Sequence, residues 1–170
     1  RAGSCSAWCD TDFFGGDSYG LPIDLVDAVR SIKPQSNLVV FTGGEPALQI
    51  DEPLTCAFFR AGFMCAVETN GTRRINGEVA WVCVSPKSGN PVLEENWVKA
   101  DEVKVVWPQE GFTIDDLIDF QTKSQAKFFW LSPKDEQGKK EENLAECIKV
   151  VMQLSHWRLG IQAHKHWGLA

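Results

Sequence analysis

The sequence predicts an α/β fold carrying a mostly parallel sheet, open or curled toward a barrel. Three observations lead there: short apolar runs recur along the chain, amphipathic segments alternate with them, and polar motifs follow five of the runs. Strands that alternate with helices pair in parallel, and such sheets receive ligands at the carboxyl ends of their strands. Residues 22–33 open the series as a helix, with Pro22 in a first turn where a missing N–H loses no hydrogen bond. Leu38-Val39-Val40-Phe41 is the first strand, and residues 52–61 form a helix with Leu54 and Phe58 on one face. Cys65-Ala66-Val67-Glu68, Val82-Cys83-Val84-Ser85 and Val103-Lys104-Val105-Val106 are the next strands. Thr113 caps a helix over 114–120, Phe128-Phe129-Trp130-Leu131 is the fifth strand, and residues 142–155 form a longer helix. Leu159-Gly160-Ile161-Gln162 closes the series, and the charged run 134–142 is a solvated loop leading into the last helix.

Composition narrows the function classes. A chain of 170 residues with 44% hydrophobic content suits one domain, 1–170, with a proper core. The net charge of -6 argues against nonspecific nucleic-acid binding by phosphate neutralisation, and a small-molecule ligand is expected instead. No apolar stretch approaches the roughly 20 residues a membrane helix needs, and the opening Arg1-Ala2-Gly3-Ser4 lacks the layout of a signal peptide. Cys56, Cys65, Cys83 and Cys147 sit singly among apolar neighbours, as reduced core residues of a cytoplasmic protein do. Trp97, Trp107 and Trp167 mark either a dimer face or the cover of the core.

Chemistry concentrates in two places. Cys5-Ser6-Ala7-Trp8-Cys9-Asp10-Thr11-Asp12-Phe13 brings two thiols close together, which fits zinc, a disulfide or part of an iron–sulfur cluster, the last normally needing a third thiolate. Thr42-Gly43-Gly44-Glu45-Pro46 follows the first strand with bare backbone amides and a carboxylate able to accept from an amine. Together they point to redox cofactor chemistry. Glu68-Thr69-Asn70-Gly71, Ser85-Pro86-Lys87, Ser132-Pro133-Lys134-Asp135 and His164-Lys165 follow the second, third, fifth and sixth strands. Taken singly, Asp10 and Thr11 are also a turn and cap, the Ser-Pro-Lys segments ordinary turns, and His164 a structural histidine.

In order along the chain, Cys-Asp-Thr-Asp-Phe at 9–13, Thr-Gly-Gly-Glu-Pro at 42–46, Glu-Thr-Asn-Gly at 68–71, Val-Ser-Pro-Lys at 84–87, Glu-Val-Lys-Val-Val at 102–106 and Gln-Ala-His-Lys at 162–165 resemble the radical SAM family, and within it the 7-carboxy-7-deazaguanine synthases of queuosine biosynthesis. The resemblance implies a reduced, partial (β/α) barrel and a lyase whose cofactors carry the chemistry. A 4Fe-4S cluster on three cysteines would bind S-adenosyl-L-methionine, and the radical made from it would contract 6-carboxy-5,6,7,8-tetrahydropterin to 7-carboxy-7-deazaguanine with loss of ammonia. Magnesium (Mg2+), a hard cation seeking oxygen ligands, is implied as well. So are a homodimer and a flavodoxin-type electron donor.

Carried over by position, the resemblance assigns Cys5 and Cys9 to the cluster, Thr11 to magnesium and Asp10 to S-adenosylmethionine. Gly44 and Glu45 would receive the methionine end of that cofactor, while Ser85, Pro86, Lys87, Ser132, Pro133, Lys134 and Asp135 would line its adenosine. Thr42, Glu68, His164, the terminal carboxylate of Ala170 and Arg1 would bind the pterin, Glu68 through its amino-pyrimidine edge. The departures lie at the N-terminus. The family's Cys-x2-Cys spacing would place a thiolate at position 6, where this chain has Ser6, and Cys5 is one residue off register. The first cluster cysteine, the N-terminal strand and the Gln-Gly-Glu substrate loop have no counterpart in the sequence. The expectation is an N-terminally truncated radical SAM domain, or else a cluster-defective relative that binds a pterin without catalysis. The intact pocket motifs favour the truncated enzyme.

Overall fold

The computed structural model describes residues 17–163. Six strands, β1 (Leu38–Phe41), β2 (Met64–Thr69), β3 (Trp81–Val84), β4 (Glu102–Trp107), β5 (Phe128–Pro133) and β6 (Trp157–Leu159), form one sheet in the order of the chain. Every neighbouring pair is parallel. Around it run the helices α1 (Pro22–Ser31), α2 (Glu52–Arg60), α3 (Glu94–Lys99), α4 (Ile114–Lys123) and α5 (Lys140–Gln153), with one 3-10 turn at Pro46–Leu48.

Alternation along the strands decides which face the helices cover. Val67, Val84, Val103, Val105 and Leu131 point one way and are fully buried, in one cluster with Trp97 of α3, Leu117 and Phe120 of α4, and Cys147 and Val150 of α5. A smaller cluster joins Val26 of α1 and Phe58 of α2 to Phe63 and Cys65, with Phe41 set edge-on to Phe58 at 5.4 Å. Each such aliphatic side chain contributes about 1.5–3 kcal/mol by leaving water. The alternate residues, among them Leu38, Val40, Ala66, Glu68, Trp81, Cys83 and Glu102, face a cavity on the side that none of these five helices covers. Helices outside and an open inner face make this a partial β/α barrel, as expected.

Helix α4 runs three residues past its expected end, to Lys123, and three larger details differ from the sequence reading. Helix α3 was not foreseen, because six residues give under two turns of periodicity. It is anchored by Trp97, stacked on Phe120 at 5.2 Å, and by buried Asn96, whose Nδ2 donates to the carbonyls of Gly71 (2.8 Å) and Arg73 (2.7 Å) in the helix-free crossover between β2 and β3. Strand β6 lies at Trp157–Leu159 rather than 159–162, since Trp157 pairs with Phe129 and Gly160 N makes the last bond to the Leu131 carbonyl, at 2.8 Å. Helix α5 starts inside the charged run, whose ends are held by Lys134–Glu136 (3.0 Å) and Lys140–Asp135 (2.9 Å) ion pairs. Trp97 and Trp107 belong to the core cover, both buried; Trp167 lies outside the described residues.

Candidate active site

Parallel pairing brings the carboxyl ends of all six strands to one rim. Thr42 and Gly44 are exposed just beyond β1, and Gly43 takes φ +114°, a backbone geometry suited to glycine. The loop is held from below by Glu45, only 5% exposed. Its carboxylate accepts from Ala47 N (2.9 Å), Thr69 Oγ1 (2.6 Å) and Asn70 N (2.9 Å). Glu45, expected to face a cofactor amine, is thus turned inward and clamps the loop after β1 to the loop after β2. Gly71 completes that second loop: its N–H donates to Thr69 Oγ1 at 3.0 Å, and a Cβ there would come within 2.8 Å of Val92.

Glu68, one residue from the end of β2, projects onto the inner face and accepts from Lys104 Nζ of β4 at 2.6 Å. Cys83 of β3 lies in register between Glu68 and Glu102. Burial pushes the Cys83 thiol well above its ordinary range, Lys104 opposing and the two carboxylates assisting. Burial also works against the Lys104 charge, but Cys83 and the carboxylates of Glu68 and Glu102 outweigh it and raise the lysine pKa. Below Glu68 a cavity of about 480 Å³ follows the inner face toward Trp81 and Leu38. Its size falls within the roughly 300–1,000 Å³ of small-molecule sites. A second cavity, of about 630 Å³, opens at the opposite ends of the strands beside Phe59, Ile75 and Lys99, away from the rim.

The remaining rim residues are brought together by β3 and β5. Lys87 Nζ donates to Ser85 Oγ at 2.7 Å, Pro86 is buried, and Ser88 N donates to Gln109 Oε1 at 2.8 Å, joining this turn to the one after β4. Buried Ser132 faces Gly160, where a Cβ would meet its Oγ at 2.5 Å. Pro133 pairs with Trp107, Lys134 N donates to the Trp107 carbonyl at 2.8 Å, and Asn143 Nδ2 donates to the Lys134 carbonyl at 2.9 Å. Asp135 pairs with Lys140. Arg1, Cys5, Cys9, Asp10, Thr11, His164 and Ala170 lie outside the described residues. Among the described residues no three His, Cys, Asp or Glu side chains gather as a metal site, and no helix is long and apolar enough to cross a membrane.

Sequence reasoning passed over Lys104. Its signal was a lysine inside an otherwise apolar strand, since strands of a parallel sheet normally read as continuous hydrophobic runs.

A curled parallel sheet with a polar carboxyl rim and an inner-face carboxylate above a cavity defines an enzyme of the partial-barrel class. No family model matches the chain. It is 36% identical over 179 aligned positions to the 7-carboxy-7-deazaguanine synthase of Caulobacter vibrioides, covering 99% of this chain and 80% of that one. The synthase of Bordetella pertussis is also 36% identical, over 177 positions with the same coverage. The crystal structure of QueE from Escherichia coli superposes with a TM-score of 0.73 at 26% identity, covering 95% of this chain and 80% of that one. The chain belongs to the 7-carboxy-7-deazaguanine synthase family.

Proposed function

We propose that this protein is a radical S-adenosylmethionine and Mg2+-dependent lyase that contracts 6-carboxy-5,6,7,8-tetrahydropterin to 7-carboxy-7-deazaguanine, releasing ammonia, on the route to queuosine. The observation that carries it is the Glu68 carboxylate, held on the inner face by Lys104 one residue from the carboxyl end of β2, in a chain whose relatives over 99% of its length bear the name 7-carboxy-7-deazaguanine synthase. The rim suits the cofactor chemically: exposed Gly43 and Gly44 offer bare amides to an amino-acid end, and the half-buried Ser85 hydroxyl suits a ribose. With S-adenosylmethionine and a 4Fe-4S cluster bound, the cofactors supply radical chemistry. Gly44 and the clamped loop seat the methionine end, with Asp10 alongside. Ser85 to Lys87 and Ser132 to Asp135 line the nucleoside. Thr42, Glu68, His164, Arg1 and the carboxylate of Ala170 bind and orient the pterin, Glu68 accepting from its paired N–H donors. Cys5 and Cys9 belong to the cluster, and the Thr11 hydroxyl to magnesium. A homodimer served by a flavodoxin-type donor belongs to the same reading.

The test is anaerobic reconstitution with iron and sulfide, then turnover with S-adenosylmethionine, Mg2+, reductant and the tetrahydropterin, followed by mass spectrometry. Formation of 7-carboxy-7-deazaguanine is expected; a fully loaded protein that forms none refutes the assignment. Ser6 favours a second reading, a pterin-binding relative without a cluster. Iron and sulfide content decides between them.

A further inference from the structure

We infer that Lys104 is a positioning residue that fixes the Glu68 carboxylate for its ligand, an inference that rests on the reading of Glu68 as the acceptor for a pterin's amino-pyrimidine edge. Lys104 sits in the interior of β4, in register with Trp130, on the face that none of the helices among the described residues covers. Glu68, Cys83 and Glu102 occupy one row across β2, β3 and β4. Lys104 stands one inner-face step nearer the rim and reaches diagonally past β3 to place Nζ 2.6 Å from Oε2 of Glu68. The two side chains are 32% and 39% exposed, so the pair adds little to stability and stability does not account for a cation there.

The pairing has a specific geometric consequence. It occupies one lone pair on Oε2 and leaves the second, with both of those on Oε1, for two N–H donors arriving side by side. A carboxylate already held in one rotamer loses less freedom when the ligand binds. The Lys104 cation also offsets the like charges of Glu68 and Glu102, which stand on either side of Cys83 in that row. The lysine stays cationic at neutral pH because its neighbouring anions outweigh burial.

The test is a double-mutant cycle on the reconstituted protein with Mg2+ and S-adenosylmethionine, titrated without reductant with 6-carboxypterin and followed by the pterin's own fluorescence. Lys104→Met is expected to weaken binding by about ten- to a hundredfold, the range of a lost charge-assisted hydrogen bond. Lys104→Arg, which keeps the cation, is expected to recover most of it. In a Glu68→Gln background, Lys104→Met is expected to add less than about threefold. Wild-type binding in Lys104→Met, no recovery in Lys104→Arg, or the full loss repeated in the Glu68→Gln background each overturns the role of Lys104 alone. Failure of the wild type to bind, or Glu68→Gln binding as tightly as wild type, overturns the reading of Glu68 itself. Should Lys104→Met not fold by circular dichroism, Lys104→Gln replaces it with the same expectations.

Discussion

Three donors converge on the buried carboxylate of Glu45, one from the last residue of β2, one from the loop after it and one from its own turn. Glu45→Gln replaces an ion that accepts at both oxygens with an amide that turns a donor toward one of these donors. The expected cost is about 2 kcal/mol, the scale of a hydrogen bond to a charged group, read as a lower urea midpoint. An unchanged midpoint would show that the clamp does not operate. The cysteines give a second prediction at this scale. Burial raises the Cys83 thiol well above its ordinary value and pushes Cys147 up to about 12, so neither holds appreciable thiolate at mildly alkaline pH. Brief alkylation of the native protein should leave both unmodified and denaturant should expose both, with mass spectrometry assigning the sites; rapid native labelling of Cys83 would contradict its burial. Residues of this kind were only half legible. The motif around Glu45 announced a ligand loop, but the inward turn of the side chain depends on Thr69 and Asn70, distant in sequence, and no local pattern reports that. Lys104 was visible as a charge inside an apolar strand, while its partner emerged only from the register of β2, β3 and β4.

Helix starts that carry their own cap were placed correctly, and α4 shows why. Thr113 Oγ1 accepts from Asp116 N at 3.3 Å, and Asp116 Oδ2 accepts from Thr113 N at 2.7 Å, closing a capping box written in four consecutive residues. The bond from the Thr113 hydroxyl, then that from its backbone N–H, lowers the Asp116 pKa. A folded pKa below the unfolded one means that the contribution is complete above the unfolded carboxylate value. It is lost as pH falls through the folded value. Thr113→Ala should therefore cost about 1 kcal/mol at neutral pH, with the gap from wild type narrowing below about pH 4; urea titrations across that range would reveal a gap that fails to close. Helix α3 escaped notice, and strand β6 was expected two residues downstream of its place, for different reasons. The helix is too short to show a period, whereas Trp157-Arg158-Leu159 does alternate as a strand does, but the apolar run beyond it drew the boundary downstream. The crossover from β2 to β3 carries no helix at all, and Asn96 on α3 does the bracing that a helix would.

At the scale of the whole molecule the alternation of apolar runs with amphipathic segments was enough to yield the architecture, because strands separated by helices pair in parallel. The two apolar clusters share Phe41 and Val79 at their boundary. Phe58, fully buried and edge-on to both Phe41 and Phe63, is the centre of the smaller one. Phe58→Ala should cost about 3–5 kcal/mol and loosen α1, α2 and β1 ahead of the rest. Hydrogen exchange should then quicken in those segments while β3 to β5 stay protected; uniform acceleration would show that the clusters open as one. The strand order has a consequence for how the molecule comes into being. Because each strand lies beside its predecessor in the chain, none has to be threaded between two that are already joined. The sheet can grow by accretion at a single edge, each new strand closing only the loop that precedes it. A chain leaving the ribosome amino end first can therefore lay down its rows in the order they are translated.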